Sequence, residues 1–273
     1  MLPDKIVLQS AGSLSVAILA LVMTALQSLF YITNRKHTFY AWGSAVSFSA
    51  LIYSIGIFLE YNTFPGDLNR YSGMLEYTAI ILLLHCLLGF TFSYLQIDGH
   101  IYHLIATPFH AIIIVVLWST NLFVDDSFVS RNFSALNSPY NEPALGPLGV
   151  VFVIYSVISA LAAATMWTVN NKVSLKYRMI YLAGMSFWIL LGIHDGIASL
   201  GFPTYQYLME YGFLGFAIVV LLGVFNRYVE KTAEDKYRVI TEYANDGILI
   251  IQDGKMAFGN PACRDLLGKP LTE

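Results

Sequence analysis

The sequence predicts an all-α membrane protein, a bundle of seven transmembrane helices followed by the opening of a small α+β domain. Three observations predict it. Of 273 residues, 56% are hydrophobic and only 12% charged, about half the charged share of a soluble domain. Seven long apolar stretches follow one another from Gly12 to Phe225, mostly with short polar connections. After Phe225 the composition turns charged and soluble in character. The net charge of −3 leaves no electrostatic footprint for nucleic acid, and none is expected as a partner.

A helix needs about 20 apolar residues to cross roughly 30 Å of hydrocarbon. The spans expected are Gly12–Thr33, Phe39–Tyr61, Met74–Gln96, Ile101–Val124, Leu148–Val169, Tyr177–Leu200 and Tyr205–Phe225. Pro108 falls inside the fourth and should kink it, which bilayer helices tolerate when neighbours satisfy the freed carbonyl. The long connection Asp125–Pro147 is rich in Asn, Ser and Pro and has no helical period, so it is expected as an exposed loop. Within it, Asn132-Phe133-Ser134 fits the glycosylation acceptor pattern, a pattern that also arises often by chance.

Basic residues orient the spans. One set of connections carries Arg35, Lys36, Lys172, Lys176, Arg178, Arg227, Lys231, Lys236 and Arg238; the other carries Lys5, Arg70 and Arg131. The first side is therefore expected in the cytoplasm, with the N-terminus outside and the C-terminus inside. Tyr61, Tyr71, Tyr77, Tyr205 and Tyr207 gather at the outer ends, as an interfacial aromatic belt would. No basic region precedes the first apolar run and no small-residue cleavage site follows a short one, so no cleavable signal peptide is expected. Cys86 and Cys263 lie in a span and in the soluble tail, so no disulfide framework is expected.

Ionisable groups inside spans are costly and carry a functional hypothesis. Counting about 1.5 Å per residue, His194 and Asp195 lie about 10 Å outward of the centre of the sixth span, and Glu210 about 7 Å outward on the seventh. Glu60 and Glu76 come out at the outer interface, where solvated side chains are expected. The in-span acidic groups all belong to the outer half, which argues against a continuous proton or ion path. His194-Asp195 sits within Gly192-Ile-His-Asp-Gly196, whose glycines should admit another backbone closely. Trp188 is seven residues before Asp195 and shares its face. Tyr207, Glu210 and Tyr211 share a face at i, i+3 and i+4, as do Tyr53 and Glu60, seven apart. An outward-opening pocket with aromatic walls and a few polar groups would follow. Three roles are open for the cluster: ligand binding, helix packing, and a metal site made from His194, Asp195, Glu210 and Glu76, residue types that suit zinc. His85 and His110, near the midplane, are expected as packed, hydrogen-bonded interior histidines; two midplane histidines can also ligate haem, but no motif supports it. No cofactor is named by the sequence.

From Asn226 to Tyr243 nothing breaks a helix. Val229, Ala233, Lys236, Tyr237, Ile240, Tyr243 and Ala244 recur at three- and four-residue steps, a stripe that suits pairing with a second copy or packing on its own domain. Asn245-Asp246 is then a turn and Gly247–Gln252 a strand. Asp253-Gly254 is a hairpin turn signal, and Lys255–Asn260 forms the second strand. Pro261 starts a short helix, Ala262–Leu267, ended by Gly268. The expected divisions are 1–226 (seven-transmembrane domain), 227–243 (helical linker) and 244–273 (α+β start).

The groups Tyr237-Arg238, Ile240, Ala244-Asn245-Asp246-Gly247-Ile248, Asp253-Gly254, Asn260-Pro261-Ala262 and Leu266-Leu267-Gly268 resemble, in kind and spacing, the opening of a PAS domain. The resemblance reaches the end of the chain before such a fold is complete, so this is expected to be part of a longer protein. Seven spans followed by a PAS domain are similar to the membrane modules of bacterial and archaeal sensor histidine kinases and related diguanylate-cyclase receptors, an analogy of architecture. It implies a multi-pass protein of the inner (cytoplasmic) membrane, homodimeric among membrane lipids. A small-molecule or lipid-like signal would bias its helix packing, and a downstream response regulator would be reached through the full-length protein. No kinase His box or nucleotide-binding motif is present, so no catalytic residues and no activity are expected here. No lysine lies within a span, which sets aside a retinal Schiff base. A small-solute transporter or a membrane-embedded metal enzyme is the rival reading, against which stand the lack of a clear internal repeat and the off-centre charges.

Overall fold

The computed structural model describes residues 10–63, 65–131, 140–199, 202, 205–252 and 255–267. Seven helices are long and apolar enough to cross a membrane: α1 (Ser10–Thr33), α2 (Phe39–Tyr61), α3 (Asp67–Leu95), α4 (His100–Ser119), α5 (Pro147–Val169), α6 (Leu175–Ser199) and α7 (Met209–Glu242). A hairpin, β1 (Val124–Arg131) and β2 (Tyr140–Leu145), lies between α4 and α5; β3 (Leu249–Gln252), β4 (Lys255–Gly259) and α8 (Pro261–Leu267) follow α7. The chain divides into two compact units, Met1–Val224 and Phe225–Glu273.

The first unit is a helical membrane bundle with α3 at its centre. A helix that is apolar all round belongs in an interior. α3 buries Ile81, Leu83, Leu84, Leu87, Leu88 and Phe90 and packs against α2, α4 and α5. α4 and α5 instead leave Ile101, Leu104, Ile105, Ile112, Val150, Ile154, Ile158 and Leu161 exposed, as helices facing acyl chains should. Lipid tails are as apolar as these side chains, so close packing and hydrogen bonds must hold the helices together. Both are present. A Cβ on Gly89 would meet the Trp42 ring at 2.7 Å, and one on Gly184 would meet Val219 at 2.8 Å. Between α1 and α2, Gln27 Nε2 donates to Ser47 Oγ at 3.1 Å, and the Ser28 and Ser44 hydroxyls are 2.7 Å apart.

Aromatic rings from five helices form a chain through the bundle. Tyr94 meets Trp167 at 5.3 Å between ring centroids, and Trp167 stacks on Tyr181 at 3.8 Å. Tyr181 meets Phe216 at 5.4 Å, and Phe216 meets Trp188 at 6.1 Å. Trp188 stands edge-on to Phe213 at 5.8 Å, and Phe213 stacks on Tyr53 at 4.4 Å. Thr91 helps fix the middle of the chain, accepting from Trp167 Nε1 at 3.2 Å.

Three expectations change. The connection Asp125–Pro147 is not merely an exposed loop: β1 and β2 pair antiparallel, with Phe128 opposite Pro143 and Arg131 opposite Tyr140. A lone two-stranded hairpin is marginal in water; this one docks on α3. Asn69 Nδ2 donates to the Asn141 carbonyl at 3.1 Å, Arg70 Nε lies 3.2 Å from Asp126, and a Cβ on Gly73 would touch Pro143 at 2.7 Å. Pro143 is tolerated because both strands are edges. Next, the bounds shift: α3 starts earlier, at Asp67, α4 ends at Ser119, and α7 starts at Met209, so Tyr207 precedes that helix. Finally, Gly192 and Gly196 have nothing within 4 Å of the positions their Cβ atoms would take, so among the described residues they admit no close backbone. α4 contains Pro108 without interruption. Lys5, the Asn132-Phe133-Ser134 acceptor, Asp253-Gly254 and Gly268 lie outside the described residues.

In the second unit, β3 pairs antiparallel with β4. Asn260 ties the segment together. Its Oδ1 accepts from the backbone of Ile248 at 2.8 Å and of Cys263 at 2.9 Å, the latter as an N-cap for α8. Its Nδ2 donates to the carbonyls of Thr241 at 3.0 Å and Asp246 at 2.9 Å. Pro261 takes the first helical position, where a missing N–H costs nothing.

A candidate site of buried carboxyls at the hairpin end of the bundle

The end of the bundle under the β1–β2 hairpin gathers most of the ionisable groups that the sequence singles out. Asp195, in the last turns of α6, reaches the start of α7. Its Oδ1 accepts from the Leu208 N–H at 2.9 Å, and its Oδ2 accepts from the Met209 N–H at 2.7 Å. These are orphan donors at the start of α7, and an anionic acceptor there also meets the helix dipole favourably. His194 Nδ1 lies 2.8 Å from Asp195 Oδ1. Asp195 is buried, whereas His194 is partly exposed.

Glu210, one turn into α7, is 1% exposed. Its Oε1 accepts from Ser13 Oγ of α1 at 2.9 Å. Its Oε2 is buried with no hydrogen-bond partner among the described residues. Tyr211 is half-buried and its hydroxyl lies over Gly12 of α1. Tyr53 is buried and stacks on Phe213 at an interplanar angle of 12°. Trp188 is buried against Phe213 and Phe216, and its Nε1 has no acceptor among the described residues.

Glu60 is only 5% exposed, which corrects the expectation of a solvated interfacial side chain: the hairpin and the longer α3 cover this end of α2. Glu76 of α3 packs at Gly56 of α2, where a Cβ would come within 2.6 Å of its Cγ, and it shares a side-chain hydrogen bond with Glu60. Two carboxyl groups can bond to each other only through a proton that one of them donates. The carboxyls of Glu60, Glu76, Asp195 and Glu210 all lie close enough to Tyr53 and Tyr61 to act on both phenols. Four carboxyls from α2, α3, α6 and α7 therefore share one region.

Tyr207 goes elsewhere. It is buried, but its hydroxyl donates to Glu142 Oε2 on β2 at 2.6 Å. Arg131 Nε bonds to the other oxygen, Oε1, at 2.8 Å. Burial works against the Arg131 charge, but the hydrogen bond and charge of Glu142 outweigh it and hold the guanidinium pKa above its ordinary value. The hairpin is thereby pinned to the α6–α7 connection by a charge-assisted network.

Sequence reasoning missed Ser13, Tyr61, Phe213, Arg131 and Glu142. Phe213 was findable, since it lies three residues after Glu210 on one helix. Glu142 gave no signal, because its partners are distant in the chain and its strand has no clean alternation. His85 and His110 lie apart from this region. Their Nδ1 atoms are 3.2 Å apart, and His110 Nε2 is 2.9 Å from the Tyr155 hydroxyl, so they form a hydrogen-bonded pair between α3 and α4. Among the described residues, no three His, Cys, Asp or Glu side chains are grouped so that they could hold a metal ion. His194, Asp195, Glu210 and Glu76 are thus neighbours without forming a ligand set. Compared with known proteins, the chain matches no family model and no curated protein.

Proposed function

We propose that the bundle is the sensing module of a homodimeric membrane receptor of the sensor-kinase type, with the hairpin end outside the cell and the C-terminal segment in the cytoplasm. The signal would act on the buried carboxyl and aromatic cluster, and α7 would carry the response toward a PAS domain and a kinase or cyclase output. The observation that carries this reading is the concentration of polar contacts on the first turns of α7. Asp195 caps that helix, Ser13 holds Glu210, and Tyr53 stacks on Phe213. The same helix runs on to Glu242. A ligand that favours one arrangement of these contacts over another shifts the equilibrium by its differential affinity alone.

The distribution of basic residues supports the orientation. The exposed side chains Val229, Tyr237, Ile240 and Tyr243 support pairing of α7 with a second copy. Three tests address the reading. In the full-length receptor, Glu210→Ala should abolish signal-dependent output while membrane insertion is retained; normal signalling by both Glu210→Ala and Asp195→Ala would discard the site. In a background without Cys86 and Cys263, a cysteine at Ser127 should react with an impermeant maleimide in intact cells, and one at Ser174 only after permeabilisation. The reverse pattern would invert the topology. Single cysteines at Ala233 and Ile240 should crosslink between copies if α7 pairs with its twin.

A further inference from the structure

We infer that the cluster at the hairpin end takes an organic ammonium group, an N–H-bearing cation attached to an apolar body. The inference rests on the reading of this cluster as the signal site and names the chemical class of its ligand.

The four carboxyls differ in their hydrogen bonds. Asp195 is satisfied by two backbone N–H groups and by His194. Glu60 and Glu76 share a hydrogen bond with each other, but Glu76 Oε1 is buried with no partner among the described residues. Of the two that keep an unpartnered oxygen, Glu210 is the more deeply buried. One oxygen is held by Ser13, while the other is buried with no donor among the described residues, on a side chain 1% exposed. An orphaned buried acceptor is costly, and more so when charged. Arg131 is engaged with Glu142, and His194 with Asp195. Among the described residues no lysine or arginine forms an ion pair with Glu210 or Glu76. The region therefore carries an excess of acidic groups and two unfilled acceptors among the described residues, Glu76 Oε1 and Glu210 Oε2, the second of which an N–H-bearing cation would complete.

The surroundings select the kind of cation. Magnesium and calcium ask for six or more oxygen ligands in a polar shell, and among the described residues no three ligating side chains are grouped for one. What flanks Glu210 is aromatic. Phe213 stands one turn further along α7, stacked on Tyr53 at 4.4 Å and edge-on to Trp188 at 5.8 Å. Trp188 borders Gly212, where a Cβ would lie 3.3 Å from its ring, and its buried Nε1–H also lacks a partner. Aromatic faces attract cations whose hydration is weak, and desolvation strengthens the attraction. A carboxyl oxygen beside aromatic rings is a fitting seat for an alkylammonium with an apolar tail.

The experiment uses the full chain in phosphatidylcholine nanodiscs and titrates 2-phenylethylammonium, its uncharged counterpart 2-phenylethanol, the anion 3-phenylpropanoate, and magnesium chloride. The amine should bind saturably and at least about tenfold more tightly than the alcohol. Glu210→Gln should weaken it by about tenfold or more, with helicity and monodispersity unchanged. Glu60→Gln, at a different helix, provides the second variant should Glu210→Gln fail to fold, and should weaken the amine as well. Equal affinity for amine and alcohol, no binding of the amine, or full amine affinity in the folded variants would overturn the inference. Glu210-dependent binding of the alcohol or the anion alone would discard the ammonium while keeping the signal site. Normal signalling by Glu210→Ala and Asp195→Ala, by contrast, would remove the site itself.

Discussion

Asp195 and Glu210 are both buried carboxyls near the start of α7, yet their accounts differ, and so do the consequences of altering them. Asp195 accepts from Leu208 and Met209, so Asp195→Ala leaves two backbone donors without a partner. Loss of such a cap costs about 1–2 kcal/mol. The thermal unfolding midpoint in detergent, followed by tryptophan emission, should fall accordingly, and Asp195→Asn should recover part of it by keeping one acceptor oxygen. Glu210→Gln should behave in the opposite sense. It removes an orphaned acid from the interior, so the midpoint should hold or rise while signalling is lost, the exchange of function for stability that a strained site predicts. Both residues were legible as costly groups inside spans. Their roles were not. A cap supplied from another helix leaves no local pattern of the capping-box kind, and the Ser13–Glu210 bond joins residues 197 positions apart.

Among the elements, the helices were readable because a bilayer demands long apolar runs whatever their neighbours. Their ends were less so. The start of α3 at Asp67 and the strands β1 and β2 depend on docking between Asn69, Arg70 and the hairpin, and no periodicity records that. Glycines give a sharp contrast. Gly89 lies against Trp42, so Gly89→Ala should overpack the α2–α3 contact and cost about 1–3 kcal/mol. Gly196 faces open space, so Gly196→Ala should leave the isolated chain unharmed or gain up to about 1 kcal/mol from helix propensity. Thermal midpoints of the two variants compare them directly. For the hairpin, a double-mutant cycle of Tyr207→Phe and Glu142→Gln should return a coupling of about 0.5–3 kcal/mol. Near-additive effects would mean that the bond contributes nothing to holding β2 down. Hydrogen exchange at Val129 and Ser130 should quicken in either single variant.

For the molecule as a whole, composition announced a membrane bundle, but the lateral order of its helices needed contacts that only the fold supplies: α3 at the centre, and α7 against α1, α2 and α6. The second unit hangs on a single side chain. Asn260→Ala removes bonds to Ile248, Cys263, Thr241 and Asp246 together, so exchange across β3, β4 and α8 should accelerate as one group while amides of α3 stay protected. The aromatic chain from Tyr94 to Tyr53 has an optical consequence. Rings this close pass excitation from tyrosine to tryptophan, and two of the four tryptophans sit within the chain. Trp167 emits from a stack with Tyr181, and Trp188 emits beside Phe213 and Phe216. Variants keeping a single tryptophan, either Trp167 or Trp188, would watch either stretch of the bundle by its own light, with no dye attached.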